Sequence, residues 1–136
     1  MMGKPAPVAT SDTIEFWNAC NRDELLYQCC VSCGHVQFYP RPFCTQCHSN
    51  ALESRASKGR GAVYSFTVVH RSANRAFDDD VPFVLALVDL DEGFRVMTNI
   101  VGEGRLTASI GDRVRFIFER RSSNQKIPQA VLSDDP

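Results

Sequence analysis

Four of the six cysteines in this 136-residue chain form two Cys-x-x-Cys pairs, Cys30 with Cys33 and Cys44 with Cys47. Ten residues separate the pairs. Two such knuckles let four thiolates converge tetrahedrally on one ion, and zinc is the metal that favours an all-thiolate tetrahedral shell. The spacing therefore predicts one structural Zn²⁺ held by all four cysteines, with iron in a rubredoxin-like site as the alternative. Because a closed shell leaves no position for water or substrate, we expect the metal to stabilise the fold rather than to catalyse.

The remaining candidates for chemistry are weaker. Cys29 precedes Cys30, but the two-residue spacing to Cys33 favours Cys30 as the ligand, and Cys20 and Cys29 are expected to pack as small apolar residues. His35 and His48 flank the knuckles and are expected at the surface or in support of the ligands. The chain contains no Walker loop, no Gly-x-Gly-x-x-Gly and no Gly-x-Ser-x-Gly. The sequence thus predicts no catalytic constellation within this chain.

The elements around the knuckles are short. Asp12 and Glu15 predict a capping box that opens a helix over residues 13–20. Phe16 and Trp17 give this helix more apolar surface than its length can bury alone. Gly34 stands where the first knuckle needs a positive φ, and residues 36–39 are typical of a strand. Residues 58–61 (Lys-Gly-Arg-Gly) are typical of a hinge.

After the hinge the pattern changes to strands bounded by turns, at residues 62–70, 83–90, 94–101, 113–119 and 127–132. Phe94, Val96, Thr98 and Ile100 alternate with polar residues and Met97, as expected of a strand with one buried face. Residues 91–93 and 110–112 are predicted turns. Five short strands without a second long helix favour a small OB-fold barrel. The predicted fold is mainly β: an N-terminal helix, a rubredoxin-like zinc ribbon and a five-stranded OB-fold barrel.

Charge and composition argue against several classes of protein. The formal net charge is −1, so strong global attraction to nucleic acid or to anionic membranes is not expected. No apolar run approaches the roughly 20 residues that span a bilayer, and residues 1–11 lack the apolar stretch of a signal peptide. We therefore expect a cytoplasmic protein whose cysteines bind metal. A local basic excess is a candidate contact for the phosphates of a ligand, and it comprises Arg113, Arg115, Arg120, Arg121 and Lys126.

The order of motifs along the chain carries a resemblance to a known family. The motifs are Phe16-Trp17-x-Ala19, Leu25 before Cys30-x-x-Cys33-Gly34, Tyr39-Pro40-Arg41 before Cys44-x-x-Cys47, Gly59-x-Gly61-x-Val63-Tyr64-Ser65-Phe66-Thr67, Pro82-Phe83, Val88-x-Leu90-x-Glu92-Gly93 and Ile110-Gly111-x-Arg113-Val114. Each motif is short, but the ordered set is specific and extends from residue 11 to about residue 132. The chain resembles the DUF35 family, in which a rubredoxin-like zinc ribbon precedes an OB-fold domain.

The resemblance implies an N-terminal segment with a helix (1–24), a zinc ribbon (25–57) and an OB-fold domain (58–136). It also implies a non-catalytic subunit in a hetero-oligomer with a thiolase, thiolase-like aldolase or acyltransferase. In such a complex the chain completes an acyl-CoA site at the shared interface or bridges enzymes. Phe16 and Trp17 are then candidates for docking to the partner, and the basic residues for contact with the phosphates of CoA. Two alternatives stay open: a nucleic-acid-binding ribbon and OB module, which the near-neutral charge disfavours, and rubredoxin-like electron transfer, which requires iron.

Overall fold

The computed structural model describes residues 4–133, which form one short helix and eight strands. Helix α1 spans Ile14–Cys20. The strands are β1 (Leu25–Cys30), β2 (Val36–Gln37), β3 (Leu52–Ser57), β4 (Arg60–Val69), β5 (Phe83–Leu90), β6 (Arg95–Val101), β7 (Arg113–Ser122) and β8 (Gln125–Leu132). Two 3₁₀ helices, Arg75–Asp80 and Arg105–Thr107, lie in the loops after β4 and β6. The predicted mainly β fold with an N-terminal helix is confirmed.

The first three strands form a small antiparallel sheet in the order β2-β1-β3. Strand β2 is only two residues long, shorter than the predicted strand over 36–39. Strand β3 buries none of its six residues fully. A sheet this small and this exposed has little apolar burial of its own, so its stability depends on the metal knuckles and on contact with the rest of the chain.

The last five strands close into a barrel in the order β4-β5-β6-β8-β7, with β7 pairing back onto β4. All neighbours are antiparallel except β6 and β8, which run parallel. In β5, Val84, Ala86, Val88 and Leu90 are buried while the residues between them are half-buried. This alternation places the first set in the barrel core and the second on its outer face. The predicted five-stranded OB-like barrel is confirmed.

Helix α1 forms where expected, but its start differs from the prediction. The N-cap residue is Thr13, and its side chain makes no capping hydrogen bond. The Thr13 hydroxyl oxygen instead accepts a bond from the Thr10 amide at 2.8 Å. The predicted capping box of Asp12 and Glu15 is therefore wrong. A helix of seven residues without a side-chain cap depends on packing, because so short a helix is not stable in isolation.

The packing that stabilises the helix joins the ribbon and the barrel into one core. Phe94, immediately before β6, stacks against Tyr27 of β1, with ring centroids 4.9 Å apart, and against Phe38, at 5.4 Å. Phe16 of α1 meets Phe38 edge to face at 5.4 Å. Phe16, Cys20 and the barrel residues belong to one hydrophobic cluster. The ribbon and the barrel therefore pack against each other through a shared apolar surface.

The predicted hinge at residues 58–61 is clamped by hydrogen bonds. One carboxylate oxygen of Glu92 accepts from the Ser57 hydroxyl, and the other accepts from the Lys58 amide, each at 2.8 Å. The Ser57 hydroxyl oxygen also accepts from the Gly59 amide at 2.9 Å. Glu92 belongs to the β5–β6 turn of the barrel, so this turn fixes the connection between the sheets. The segment is an ordered junction, which the Gly-rich sequence did not indicate.

Candidate metal centre

The two Cys-x-x-Cys knuckles have the same backbone geometry. In the first, the Gly34 amide donates to the Cys30 carbonyl and the Cys30 amide donates to the His35 carbonyl, each at 2.8 Å. The second repeats this pattern with bonds from His48 to Cys44 and from Cys44 to Ser49. Gly34 has the expected positive φ of 79°, and His48 occupies the equivalent position with φ 65°. Each knuckle thus turns two sulfur atoms toward the other knuckle.

The four sulfur atoms converge at one point. The Sγ atoms of Cys30, Cys33, Cys44 and Cys47 all lie within 4.8 Å of one another. The Cys30–Cys47 and Cys33–Cys44 sulfur distances are 3.6 and 3.7 Å. Four thiolates at the usual Zn–S bond length would be separated by ~3.8 Å along each tetrahedral edge. The cysteines are therefore positioned to bind one metal ion, consistent with a structural zinc.

The electrostatics of the cluster also favour a bound cation. Hydrogen bonds from the Cys47 amide and, to a smaller extent, the Gln46 amide lower the pKa of the Cys44 thiol. Burial opposes them, and the net result is a pKa of about 6. The Cys33 amide lowers the pKa of Cys30. The His35 amide acts in the same direction on Cys33, but burial and the neighbouring sulfurs raise the pKa of that thiol to about 12. Despite a hydrogen bond from the Ser49 amide, the pKa of the Cys47 thiol is also raised, by burial and by the sulfurs of Cys30 and Cys44. Two of the four sulfurs thus favour the thiolate and two resist it, so full deprotonation requires a positive ion among them.

A layer of polar side chains supports the second knuckle. The side-chain oxygen Oε1 of Gln37 accepts from the Thr45 amide at 3.0 Å and from the Thr45 hydroxyl at 3.2 Å. The Gln37 side chain is buried and donates through Nε2 to the side-chain oxygen Oε1 of Gln28 at 2.8 Å. His35 contacts the same Thr45 hydroxyl at 3.1 Å. Sequence reasoning missed Gln28 and Gln37, since only the β1–β2 pairing brings these two residues together.

The other two cysteines lie away from the cluster. Cys29 and Cys20 are both buried, as predicted, and neither belongs to the group of converging sulfurs. Burial raises the pKa of the Cys20 thiol to about 12. A thiol with such a pKa is unreactive at neutral pH.

The candidate docking residues differ in exposure. Phe16 is 7% exposed and belongs to the core, so its prediction as a docking residue requires correction. Trp17 is half-buried and packs against the same core, 4.9 Å from the Phe16 ring centroid. The Trp17 carbonyl accepts a bond from the Gln125 side chain at 3.1 Å. Trp17 therefore contributes to the contact between α1 and β8, and its role toward a partner stays a prediction.

The five basic residues do not form one patch. Arg113 makes two hydrogen bonds to Asp91, at 2.9 and 2.7 Å, and Lys126 donates to Asp23 at 2.8 Å. Arg113 and Arg121 lie near opposite ends of β7, roughly 26 Å apart at the rise of an extended strand. Arg115 and Arg120 are exposed. One phosphate group cannot contact the whole set, because extended backbone separates its members.

A larger cavity lies on the outer face of the barrel. It has a volume of about 550 Å³ and lies beneath the loop that connects β4 to β5. Phe77 from the 3₁₀ helix, Phe83 and Leu85 from β5 and Arg121 from β7 are among the residues that line it. Of the basic residues predicted from sequence, only Arg121 reaches this cavity. Among the described residues, no helix has the length and apolar character needed to cross a membrane.

A Cys₄ ribbon packed on a closed five-stranded barrel defines the class of protein, and comparison with known proteins identifies the family. Residues 17–53 match the model described as "ChsH2, rubredoxin-like zinc ribbon domain", and residues 54–119 match "ChsH2, C-terminal OB-fold domain". A DUF35 domain-containing scaffold protein of Methanothermobacter thermautotrophicus is 32% identical over 81% of this chain and 84% of that protein. The chain belongs to the DUF35 family. The predicted division at residues 24/25 and 57/58 stays a prediction.

Two further relatives carry names of enzyme subunits. A probable enoyl-CoA hydratase alpha subunit of Thermomonospora curvata is 35% identical over 73% of this chain, which spans 30% of that protein's length. The benzoylsuccinyl-CoA thiolase subunit BbsA of Geobacter metallireducens is 34% identical over 54% of this chain and 48% of that protein. Among solved structures, a chain of the Ltp2-ChsH2(DUF35) aldolase superposes with a TM-score of 0.82 at 30% identity. That superposition covers 93% of this chain and 98% of the other.

Proposed function

We propose that this chain is a non-catalytic accessory subunit of a thiolase-type acyl-CoA enzyme. The observation that carries this proposal is the likeness to the chain from the Ltp2-ChsH2(DUF35) aldolase, which extends over nearly the full length of both chains. The thiolase subunit BbsA supports the same class of partner. In this role the chain forms a hetero-oligomer with a thiolase-like subunit that supplies the catalytic residues, and completes an acyl-CoA site at the shared interface or holds the enzyme in a competent form.

The side chains of this chain support an accessory role. Within residues 4–133, the one hydroxyl in hydrogen-bond contact with a histidine ring is that of Thr45, next to the metal ligand Cys44. The Thr45 hydroxyl also donates to Gln37, so it is part of the support for the knuckle. A nucleophile needs a base free to take its proton, and this pair does not meet that condition. The chemistry of the complex is therefore assigned to the partner.

The zinc in this proposal has a structural role. The four cysteines would hold it, and it would supply the cross-link between knuckles that lie in different turns of the chain. We also propose a cytoplasmic location, because six free cysteines fit a reducing compartment.

A test of the proposal reconstitutes the complex. The tagged chain is used to capture its partner from native lysate, the partner is identified by mass spectrometry, and each protein is then purified separately. We expect the captured protein to be thiolase-like, the chain alone to show no thiolase, aldolase or hydrolase turnover, and addition of the chain to raise the partner's activity on acyl-CoA substrates. Turnover by the chain alone, or a partner whose activity does not change, would contradict the proposal.

A matched test addresses the nucleic-acid alternative. Two of the five basic residues are paired closely with carboxylates, Arg113 with Asp91 and Lys126 with Asp23, so at most three cations remain for a phosphate backbone. We expect no binding of short single strands at physiological ionic strength in a fluorescence titration. Submicromolar affinity under those conditions would favour a nucleic-acid-binding module instead.

A further inference from the structure

The cavity on the outer barrel face has the composition of a ligand site. Its volume, about 550 Å³, falls within the range typical of small-molecule sites. Phe83 and Leu85 are on the outward side of β5, because the alternating residues Val84 and Ala86 are buried in the barrel core. Phe77 of the covering loop approaches Phe83 with ring centroids 6.5 Å apart. These three side chains give one part of the cavity an apolar surface able to hold a hydrocarbon or aromatic group.

Arg121 provides an uncommitted positive charge beside this apolar surface. Its side chain is only 9% exposed, and its nearest carboxylate oxygen, on Glu119, is 3.9 Å away, which is too far for a hydrogen bond. The guanidinium carbon lies 5.7 Å from the centre of the Phe77 ring. Within residues 4–133 no group accepts a hydrogen bond from the Arg121 side chain. The guanidinium nitrogens of Arg121 are not sealed from solvent, so their donors are open to an acceptor on a bound ligand.

The other two cations of the cavity are already engaged. Lys4 pairs with Asp80 at 2.6 Å. Arg105 donates to the carbonyls of Pro82 and Gly102, at 3.3 and 3.2 Å, and thereby holds the covering loop against the end of β6. Both cations therefore have structural roles, and Arg121 is the guanidinium available to a bound molecule.

The acidic residues of the cavity decide which anion fits. Three carboxylates line it, from Asp79, Asp80 and Glu119. A polyanion such as the phosphate-bearing end of CoA would bring several negative charges close to these carboxylates, with a single free guanidinium to offset the repulsion. A single carboxylate needs only that guanidinium, and the planar fork of an arginine matches it with two parallel hydrogen bonds. Charge and shape thus favour a monocarboxylate over a nucleotide.

We propose that this cavity binds a small monocarboxylate with an apolar or aromatic body. The carboxylate accepts two hydrogen bonds from Arg121, and the body packs against Phe77, Phe83 and Leu85. The same chemistry is present in a free carboxylic acid and in an acyl-CoA whose acyl group ends in a carboxylate. The proposal does not rest on the accessory-subunit function, because the cavity is formed entirely by this chain.

The experiment is isothermal titration of the full zinc-loaded chain with 3-phenylpropanoate. Its neutral match is 3-phenylpropanamide, and adenosine 3′,5′-bisphosphate represents the nucleotide end of CoA. We expect the carboxylate to bind about tenfold or more tightly than the amide, which cannot form a charge-assisted pair with Arg121. The same preference is expected over the bisphosphate, whose several charges are repelled by the three carboxylates of the cavity. Arg121→Met should remove that preference. Arg120→Met is the control, because Arg120 is exposed on the same strand and bonds to the Ser123 carbonyl outside the cavity.

Two further arms make the outcome decisive. Phe77→Leu keeps the Arg121 charge and should weaken the binding of the carboxylate and of the amide alike. This variant tests the apolar part of the cavity even if Arg121→Met folds poorly. Glutaryl-CoA compared with butyryl-CoA tests the second source of the carboxylate: Arg121-dependent binding of glutaryl-CoA without binding of the free acid would assign the site to an acyl group. Absence of binding by every carboxylate would overturn the proposal. So would bisphosphate binding that is tighter and Arg121-dependent, or affinity that is unchanged in Arg121→Met.

Discussion

The ribbon and the barrel of this chain are stabilised by different means. The barrel buries branched side chains almost completely, with Val84, Val88 and Ile100 each 0% exposed. The ribbon has one two-residue strand and one strand without a buried residue, and its most buried side chains include the metal ligands Cys30 and Cys44. A closed sheet excludes water from its interior by itself, whereas a short open sheet needs a cross-link. We therefore expect loss of zinc to unfold the ribbon and loss of core side chains to destabilise the barrel.

The largest expected effect comes from removal of a metal ligand. Replacing Cys33 or Cys44 by serine should abolish zinc binding and unfold the ribbon, because structural zinc contributes on the order of 10 kcal/mol to the folding of small zinc domains. Elemental analysis should find about one zinc and little iron per chain before the change and none after it. Amide signals of β1 and β3 should disperse poorly by NMR, while those of β5 and β6 persist.

The matched control is Cys29→Ser, which lies next to a ligand but outside the sulfur cluster. This variant should keep its zinc. Loss of zinc from Cys29→Ser would show that the ligand set is wrong, and iron in excess with visible absorption would favour the rubredoxin-like alternative. Collapse of the barrel signals together with the ribbon would show that the two parts do not differ in the way described above.

The second effect lies in the barrel. Ile100→Ala removes a fully buried branched side chain from β6 and should cost about 3 kcal/mol, from lost burial and the cavity left behind. The melting temperature should fall by roughly 10 °C, while the zinc content per chain stays unchanged. Met97→Ala is the control on the same strand, since Met97 is 56% exposed and its loss should change stability by less than about 0.5 kcal/mol. Loss of zinc from folded Ile100→Ala would contradict the independence of the two parts.

Trp17 tests whether α1 serves the fold or the partner. Because Trp17 is half-buried against the shared core, Trp17→Ala should lower the free energy of unfolding of the isolated chain by about 2 kcal/mol. The melting temperature of the chain alone and its dissociation constant with the partner should both be measured. Ile14→Ala on the exposed side of the same helix is the control. A Trp17 variant of unchanged stability but weakened association would instead make this residue a docking residue.

The smallest effect concerns the junction between the two parts. Glu92→Ala removes the acceptor for the Ser57 hydroxyl and the Lys58 amide and should cost about 1 kcal/mol. Hydrogen exchange at the Lys58 amide should become faster, because its acceptor is lost. Glu103, exposed in the loop after β6, provides the control variant Glu103→Ala. Unchanged exchange at Lys58 in Glu92→Ala would show that the clamp does not order this segment.

Features that depend on local spacing could be predicted from the amino-acid sequence alone. The two Cys-x-x-Cys knuckles identified the converging sulfurs, because the turn within each knuckle is set by adjacent residues. Alternation of apolar and polar residues located the barrel strands, and the bounds predicted for the strand over 83–90 agree with those of β5. These signals need only the next few residues to be interpreted.

Which side chains and surfaces are free depends on how distant segments of the chain pack together. The sequence predicted Phe16 as a docking residue, but Phe38 packs against it within the core. The sequence predicted a hinge at the Gly-rich junction, but Glu92 is bonded to it. Arg121 was one of five similar cations, and closure of the barrel beneath the β4–β5 loop separated it from the others. Each of these outcomes depends on residues distant in the chain, such as Trp17 and Gln125, which are 108 positions apart. Local patterns carry no information about such contacts, because burial and pairing of charges are decided when distant segments pack together.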